Sequence, residues 1–109
     1  MAIQREDILA YHLGGKVGMR ATKPLSSLND LCMAYTPGVA VPVKEIHQCR
    51  GALREYTAKN NLVAIVTDGT AILGLGDLGA EASIPVMEGK AVLFKAFGDV
   101  DGWPVPLAR

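Results

Sequence analysis

Lys90 and Tyr35 are the two side chains whose type and position point to chemistry. Residues 86–97 placed on a helical wheel at about 100° per residue put Val86, Leu93, Phe94 and Phe97 on one face. Lys90 falls inside that apolar stripe, with Glu88 and Lys95 opposite. A lysine on a buried face is desolvated, which disfavours its charged form. Such an amine can serve as a general base near neutral pH. The plain alternative is a stem that lies along the stripe and carries its ammonium out to water. On a second helical stretch, 27–35, Leu28, Leu31, Cys32 and Tyr35 share a face, and Tyr35 closes it directly before Thr36-Pro37-Gly38. A phenol there has its ring in the core and its hydroxyl at the end of the element, where it could donate a proton. The alternative is a core tyrosine with a satisfied hydroxyl.

The elements that must position these groups are readable from stop and start signals. A short helix is expected over 3–13, ended by Gly14-Gly15. Ser27 and Asp30 resemble a capping box opening the helix 27–35. Thr36, before a proline, is a boundary. Pro42 suits the first turn of a helix over about 42–50, closed by Gly51. Residues 62–66 (Leu-Val-Ala-Ile-Val) read as a buried strand, and Asp68-Gly69 reads as a tight hairpin turn. Residues 71–75 then return as an antiparallel strand. Pro85 opens the helix of 86–97, Gly98 ends it, and 103–107, with its prolines, suits an edge strand. The expected fold class is α/β, with N-terminal helices packed on a small mixed β-sheet that contains a β-hairpin. Residues 1–50 are mainly helical in this reading. The chain stops in an extended apolar segment, which suggests a piece of something longer.

Gly74-Leu75-Gly76-Asp77-Leu78-Gly79 matches the dinucleotide fingerprint letter for letter, with Asp99 and Asp101 at a tolerable distance for a ribose contact. The fingerprint requires a parallel strand running directly into a helix. A returning hairpin strand does not provide that, and Pro85 stands where the first helix should already be running. The other use of these glycines is close approach of backbone to a small substrate.

Bulk properties narrow the classes. The 109 residues make one small domain. Lys+Arg and Asp+Glu are 11 each, and this balance argues against a nucleic-acid partner. No apolar run approaches the roughly 20 residues of a membrane helix. Cys32 and Cys49 lie in no metal-like spacing, and His12 and His47 have no ligand partner at metal spacing. A reduced, cytoplasmic setting is the expectation.

Three segments converge on one family. Ala34-Tyr35-Thr36-Pro37-Gly38-Val39-Ala40 resembles the tyrosine motif of malic enzymes. Residues 56–77, with NLVAIVTDGTAILGLGD, resemble their central hairpin, and Pro85-Val86-Met87-Glu88-Gly89-Lys90 resembles their catalytic-lysine segment. The order and spacing are those of the family, closest to its smaller bacterial members. The resemblance implies that residues 1–109 form the N-terminal, substrate-side domain of an enzyme that oxidatively decarboxylates malate to pyruvate and CO2. It implies NAD or NADP and a Mg2+ or Mn2+ ion in the full-length enzyme. It implies Lys90 as the base for the 2-hydroxyl proton and Tyr35 as the acid that protonates the enol of pyruvate. Leu73, Gly74 and Gly76 would line the malate pocket through their backbone. No cofactor-binding and no metal-binding residue is expected in this chain, whose nucleotide-binding domain would lie in the rest of the protein, so the isolated chain is expected to be inactive. A homodimer is expected, with the N-terminal helices as the contact. Ala71 departs from larger animal-type members, which carry an arginine there for a substrate carboxylate. Two rival readings belong to other classes: a stand-alone nucleotide-binding module using the glycine loop, and a non-catalytic dimerisation domain.

Overall fold

The structure is a computed structural model and describes residues 2–108. The chain runs α1 (Arg5–His12), α2 (Leu28–Ala34), α3 (Ala40–Gln48), α4 (Ala52–Tyr56), a 3-10 turn at Ala58–Asn61, β1 (Leu62–Thr67), a second 3-10 turn at Glu81–Ser83, α5 (Ile84–Gly98) and β2 (Asp101–Pro106). These elements fall into two compact units. Residues up to Gly18 together with those from Leu62 onward form one, and Met19–Asn61 form the other.

In the first unit β1 and β2 pair in parallel, in a register that sets Leu62 beside Asp101, Ala64 beside Trp103 and Thr67 beside Pro106. The α/β class expected from the sequence is therefore present, but the hairpin is not. Residues 71–75 are not a strand, and β1 takes its partner from the far side of α5. The local turn signal at Asp68-Gly69 is real and is used differently: Asp68 accepts a hydrogen bond from the Thr70 N–H (3.1 Å). The Gly69 carbonyl accepts one from the Gly79 N–H (3.1 Å). The turn thus closes the base of a loop and does not start a ladder.

α5 lies on one face of the β1–β2 pair. Its Met87 and Ala91, one turn apart, form with Ile65 the core of this unit, and Val17 and Val86 pack around them. Full burial of a side chain the size of Ile65 or Met87 stabilises by about 1.5–3 kcal/mol. Helix and strand approach closely at Gly102, where a Cβ would meet Ile65 Cδ1 at 3.0 Å and Phe94 Cδ2 at 3.1 Å. Strand alternation turns Ala64, Val66, Trp103 and Val105 to the opposite face. Val66 and Trp103 are 59% and 39% exposed. A parallel sheet is normally covered on both faces, and in this unit the face with Val66 and Trp103 stays partly exposed.

Gly69 shows how tightly the loop base is built. It is buried, its φ is +74°, and a Cβ there would overlap the carbonyl of Gly79. Gly79 also has a positive φ (+94°) but open space around it. Gly69→Ala is expected to destabilise the protein by about 3 kcal/mol, from left-handed backbone strain of roughly 1–2 kcal/mol plus the overlap. Gly79→Ala is expected to show the strain alone. Denaturant midpoints of the two variants check this, and equal midpoints would remove the overlap from the account.

Candidate functional site

α5 starts with Pro85 in its first turn, where a missing N–H costs nothing. It ends at Asp99, a left-handed cap with φ +53°. Lys90 sits midway along it and is exposed. Of the expected stripe of Val86, Leu93, Phe94 and Phe97 around Lys90, Val86 packs against the core, but the rest is not the face that this unit buries. Leu93 is 54% and Phe97 86% exposed, while Met87 and Ala91 point at the sheet. The helix is apolar round most of its circumference, so the wheel offers two apolar stripes. Small Ala91 and glycine at 102 select the closer-packing one. Phe94 is 36% exposed and lies at the border, lining with Val63, Leu93, Phe97, Gly98 and Val100 an open apolar groove of about 490 Å3.

Glu88, expected to be solvated, is half-buried and holds chain segments together. Its carboxylate accepts from the Lys16 N–H at 2.7 Å. The Lys16 ammonium donates to the Pro85 carbonyl (2.8 Å) and to His12 Nε2 (2.6 Å). His12 Nδ1 in turn lies 2.8 Å from the Ile8 carbonyl, so its proton sits on Nδ1. This latch joins the end of α1 to the start of α5, the turn just ahead of Lys90. No local pattern could have revealed it, because Lys16 and Glu88 are distant in sequence.

The glycine segment is a compact loop. The Ile72 N–H donates to the Gly76 carbonyl (2.9 Å) and the Leu75 N–H to the Ile72 carbonyl (2.8 Å). Ile72 anchors it at 4% exposure. Leu73 is 79% exposed and adopts φ +51°, a conformation that L-residues avoid. Such strain persists only where the surroundings enforce it. Leu73, Gly74 and Gly76, the residues expected to line a substrate pocket through their backbone, are all exposed in this loop. The dinucleotide fingerprint fails in its structural context, though not because the preceding strand is antiparallel. β1 is parallel, but residues 68–83 separate it from α5, and the glycines sit inside that connection, not at a strand–helix junction. Asp99 and Asp101 pair with Lys95 at 2.7 and 3.1 Å, which pushes the Lys95 ammonium pKa up, the Asp99 hydrogen bond contributing most. The glycine segment thus lacks the strand–turn–helix setting of a dinucleotide site. Among the described residues no three His, Cys, Asp or Glu side chains gather at ion-binding geometry.

Tyr35 belongs to the 19–61 unit, whereas Lys90, Leu73, Gly74 and Gly76 belong to the other. α2 is capped at its start by Ser27, whose Oγ accepts from the Asp30 N–H (3.1 Å). The Asp30 carboxylate accepts from the Ser26 N–H (2.9 Å) and hydroxyl (3.1 Å). The reciprocal bond of the capping box thus reaches one residue further back than the sequence suggested. The hydrogen bond from the Ser26 backbone, above all, holds the Asp30 carboxyl below its usual pKa. At the other end Tyr35 is the C-cap, its N–H bonded to the Leu31 carbonyl (2.9 Å). Its carbonyl accepts from the Val39 N–H (2.6 Å) across the Thr36-Pro37-Gly38 turn, where the Thr36–Pro37 peptide is cis. The ring is 67% exposed, so the expectation of a ring in the core, shared by the proton-donor and the plain readings, does not hold; α2 is short and buries none of its residues, and Tyr35 at its end is a presented side chain.

Residues 14–108 match the family model described as malic enzyme, N-terminal domain. The chain is 50% identical over 105 residues to the bifunctional malic/malolactic enzyme of Bacillus subtilis, covering 94% of this chain and 26% of that protein. It is 52% identical over 103 residues to the NADP-dependent malic enzyme of Rhizobium meliloti, covering 92% and 14%. Among solved structures, the malic enzyme of Pyrococcus horikoshii superposes with a TM-score of 0.91 at 49% identity, over 96% of this chain and 25% of that one. The chain thus spans about a quarter or less of the length of these relatives. It belongs to the malic enzyme family, of which it is the N-terminal domain.

Proposed function

We propose that this domain supplies the acid/base pair and part of the substrate pocket of a malic enzyme that converts malate to pyruvate and CO2. The observation that carries the reading is the family match over residues 14–108, which takes in Tyr35, the glycine loop and Lys90 together. Lys90 accepts the proton of the malate 2-hydroxyl as C2 is oxidised. After CO2 leaves, Tyr35 donates a proton to C3 of the enol, giving pyruvate. The backbone of Leu73, Gly74 and Gly76 lines the malate pocket, where peptide N–H groups can hold a substrate oxygen. In this reading the hydride acceptor, NAD or NADP, and the divalent metal are held by the rest of the enzyme, which makes up about three quarters or more of the relatives' length.

The exposed Lys90 stripe and the partly exposed sheet face fit this division of labour. An amine works best as a base once water is excluded from it, and the face with Leu93 and Phe97 is shaped for cover by a further domain. The exposed apolar side chains of the helical segment, among them Leu28, Met33 and Val41 at 76%, 73% and 66%, support a homodimer contact through that segment. Full-length protein is expected to form pyruvate, CO2 and reduced nicotinamide in equal amounts from malate with Mg2+ or Mn2+ present. The isolated 109-residue chain is expected to form none. Product quantification for both checks this, and a full-length protein that leaves malate untouched would sink the reading.

A further inference from the structure

The 19–61 unit carries an open polar cleft of about 560 Å3 lined by Arg50, Gly51, Leu53, Arg54, Lys59 and Asn60. Arg50 follows α3, Arg54 lies in α4 and Lys59 in the 3-10 turn that precedes β1. Three basic residues therefore line one concavity in a chain whose net charge is zero. No carboxylate lines the cleft, and none of the three forms an ion pair among the described residues, where the recorded pairs are those of Lys95.

We propose that this cleft binds a small multivalent anion bearing phosphoryl or carboxylate groups. Two guanidinium groups offer planar, paired donors suited to either oxyanion. Lys59 adds a mobile point charge, and the Asn60 amide adds a neutral donor. The volume exceeds what one phosphate needs and suits a diphosphate or a tricarboxylate. Because the lining cations are exposed, binding should be modest and salt-sensitive, with Kd on the order of 0.1 mM at low ionic strength.

The test is calorimetric titration of the full-length protein with inorganic pyrophosphate and, separately, with citrate, using acetate as the monovalent control. Saturable binding of either multivalent anion, and not of acetate, is expected. Arg54→Gln should weaken it about fivefold, the double variant Arg50→Gln/Arg54→Gln at least about twentyfold, and Lys59→Gln about threefold. Lys95→Gln, which removes a cation elsewhere, should leave it unchanged. Stronger binding of pyrophosphate assigns the cleft to phosphorylated ligands, and stronger binding of citrate assigns it to polycarboxylates. Binding that persists in Lys90→Ala separates this cleft from the malate site, so that neither proposal falls with the other. Absence of saturable binding, or a double variant that is folded by its thermal melt and binds like the parent, would overturn the proposal.

Discussion

Lys90→Ala in the full-length protein is expected to lower kcat for malate oxidation about 10³-fold, within the range that a positioned general base contributes. KM for malate should stay within about threefold, because the amine acts on a proton in flight and not on the resting substrate. Lys90→Arg is expected to rescue nothing, since a guanidinium remains protonated and cannot accept the hydroxyl proton. Oxaloacetate offers an internal control: its C2 is already a carbonyl, so its decarboxylation has no hydroxyl proton to remove. That partial reaction should survive Lys90→Ala to within about tenfold. Steady-state kinetics with the two substrates make the comparison. Equal loss on malate and oxaloacetate would move Lys90 from base to general support of the site.

Tyr35→Phe keeps the ring and its contacts and removes only the hydroxyl. We expect kcat to fall about 10²-fold, the lower end of general-acid contributions. The sharper readout is on the product. A group that protonates C3 of the enol also removes a C3 proton from pyruvate in the reverse direction. The parent protein should therefore exchange pyruvate methyl protons with deuterated water, and Tyr35→Phe should not, as followed by proton NMR. Lys90→Ala should retain most of that exchange. A Tyr35→Phe protein that still exchanges would assign the C3 proton to another group.

Legibility in the sequence follows the range of the interactions involved. Helix ends set by local chemistry lie close to where the residues place them. Gly14-Gly15, Thr36-Pro37-Gly38 and Gly98 each act within a turn of the backbone they stop. The five-residue α4 (Ala52–Tyr56) carries too little periodicity to register. β1 is visible as an apolar run, but its partner is not. Pairing with Asp101–Pro106 depends on α5 folding back, and a good local turn at Asp68-Gly69 imitates the alternative. On α5 the stripe holding Lys90 is real, yet which apolar stripe is buried was decided by Ala91 and Gly102 fitting together across the fold. Tyr35 and Lys90 stand out as chemistry-bearing side chains on faces expected to be apolar. The Lys16–Glu88–His12 latch and the cationic cleft arise only from tertiary placement.

The central claim is that Tyr35 and Lys90 serve one substrate molecule. It is tested most directly by the crystal structure of the full-length protein with a non-reactive malate analogue, its nicotinamide and its metal. The expected result places the Lys90 amine within about 3 Å of the C2 oxygen of the analogue, directly or through one water, and the Tyr35 hydroxyl within about 4 Å of C3. Both contacts would occur in the same pocket, whether the two residues come from one subunit or from two. A ligand bound with either residue remote from it in every subunit pairing would contradict the account.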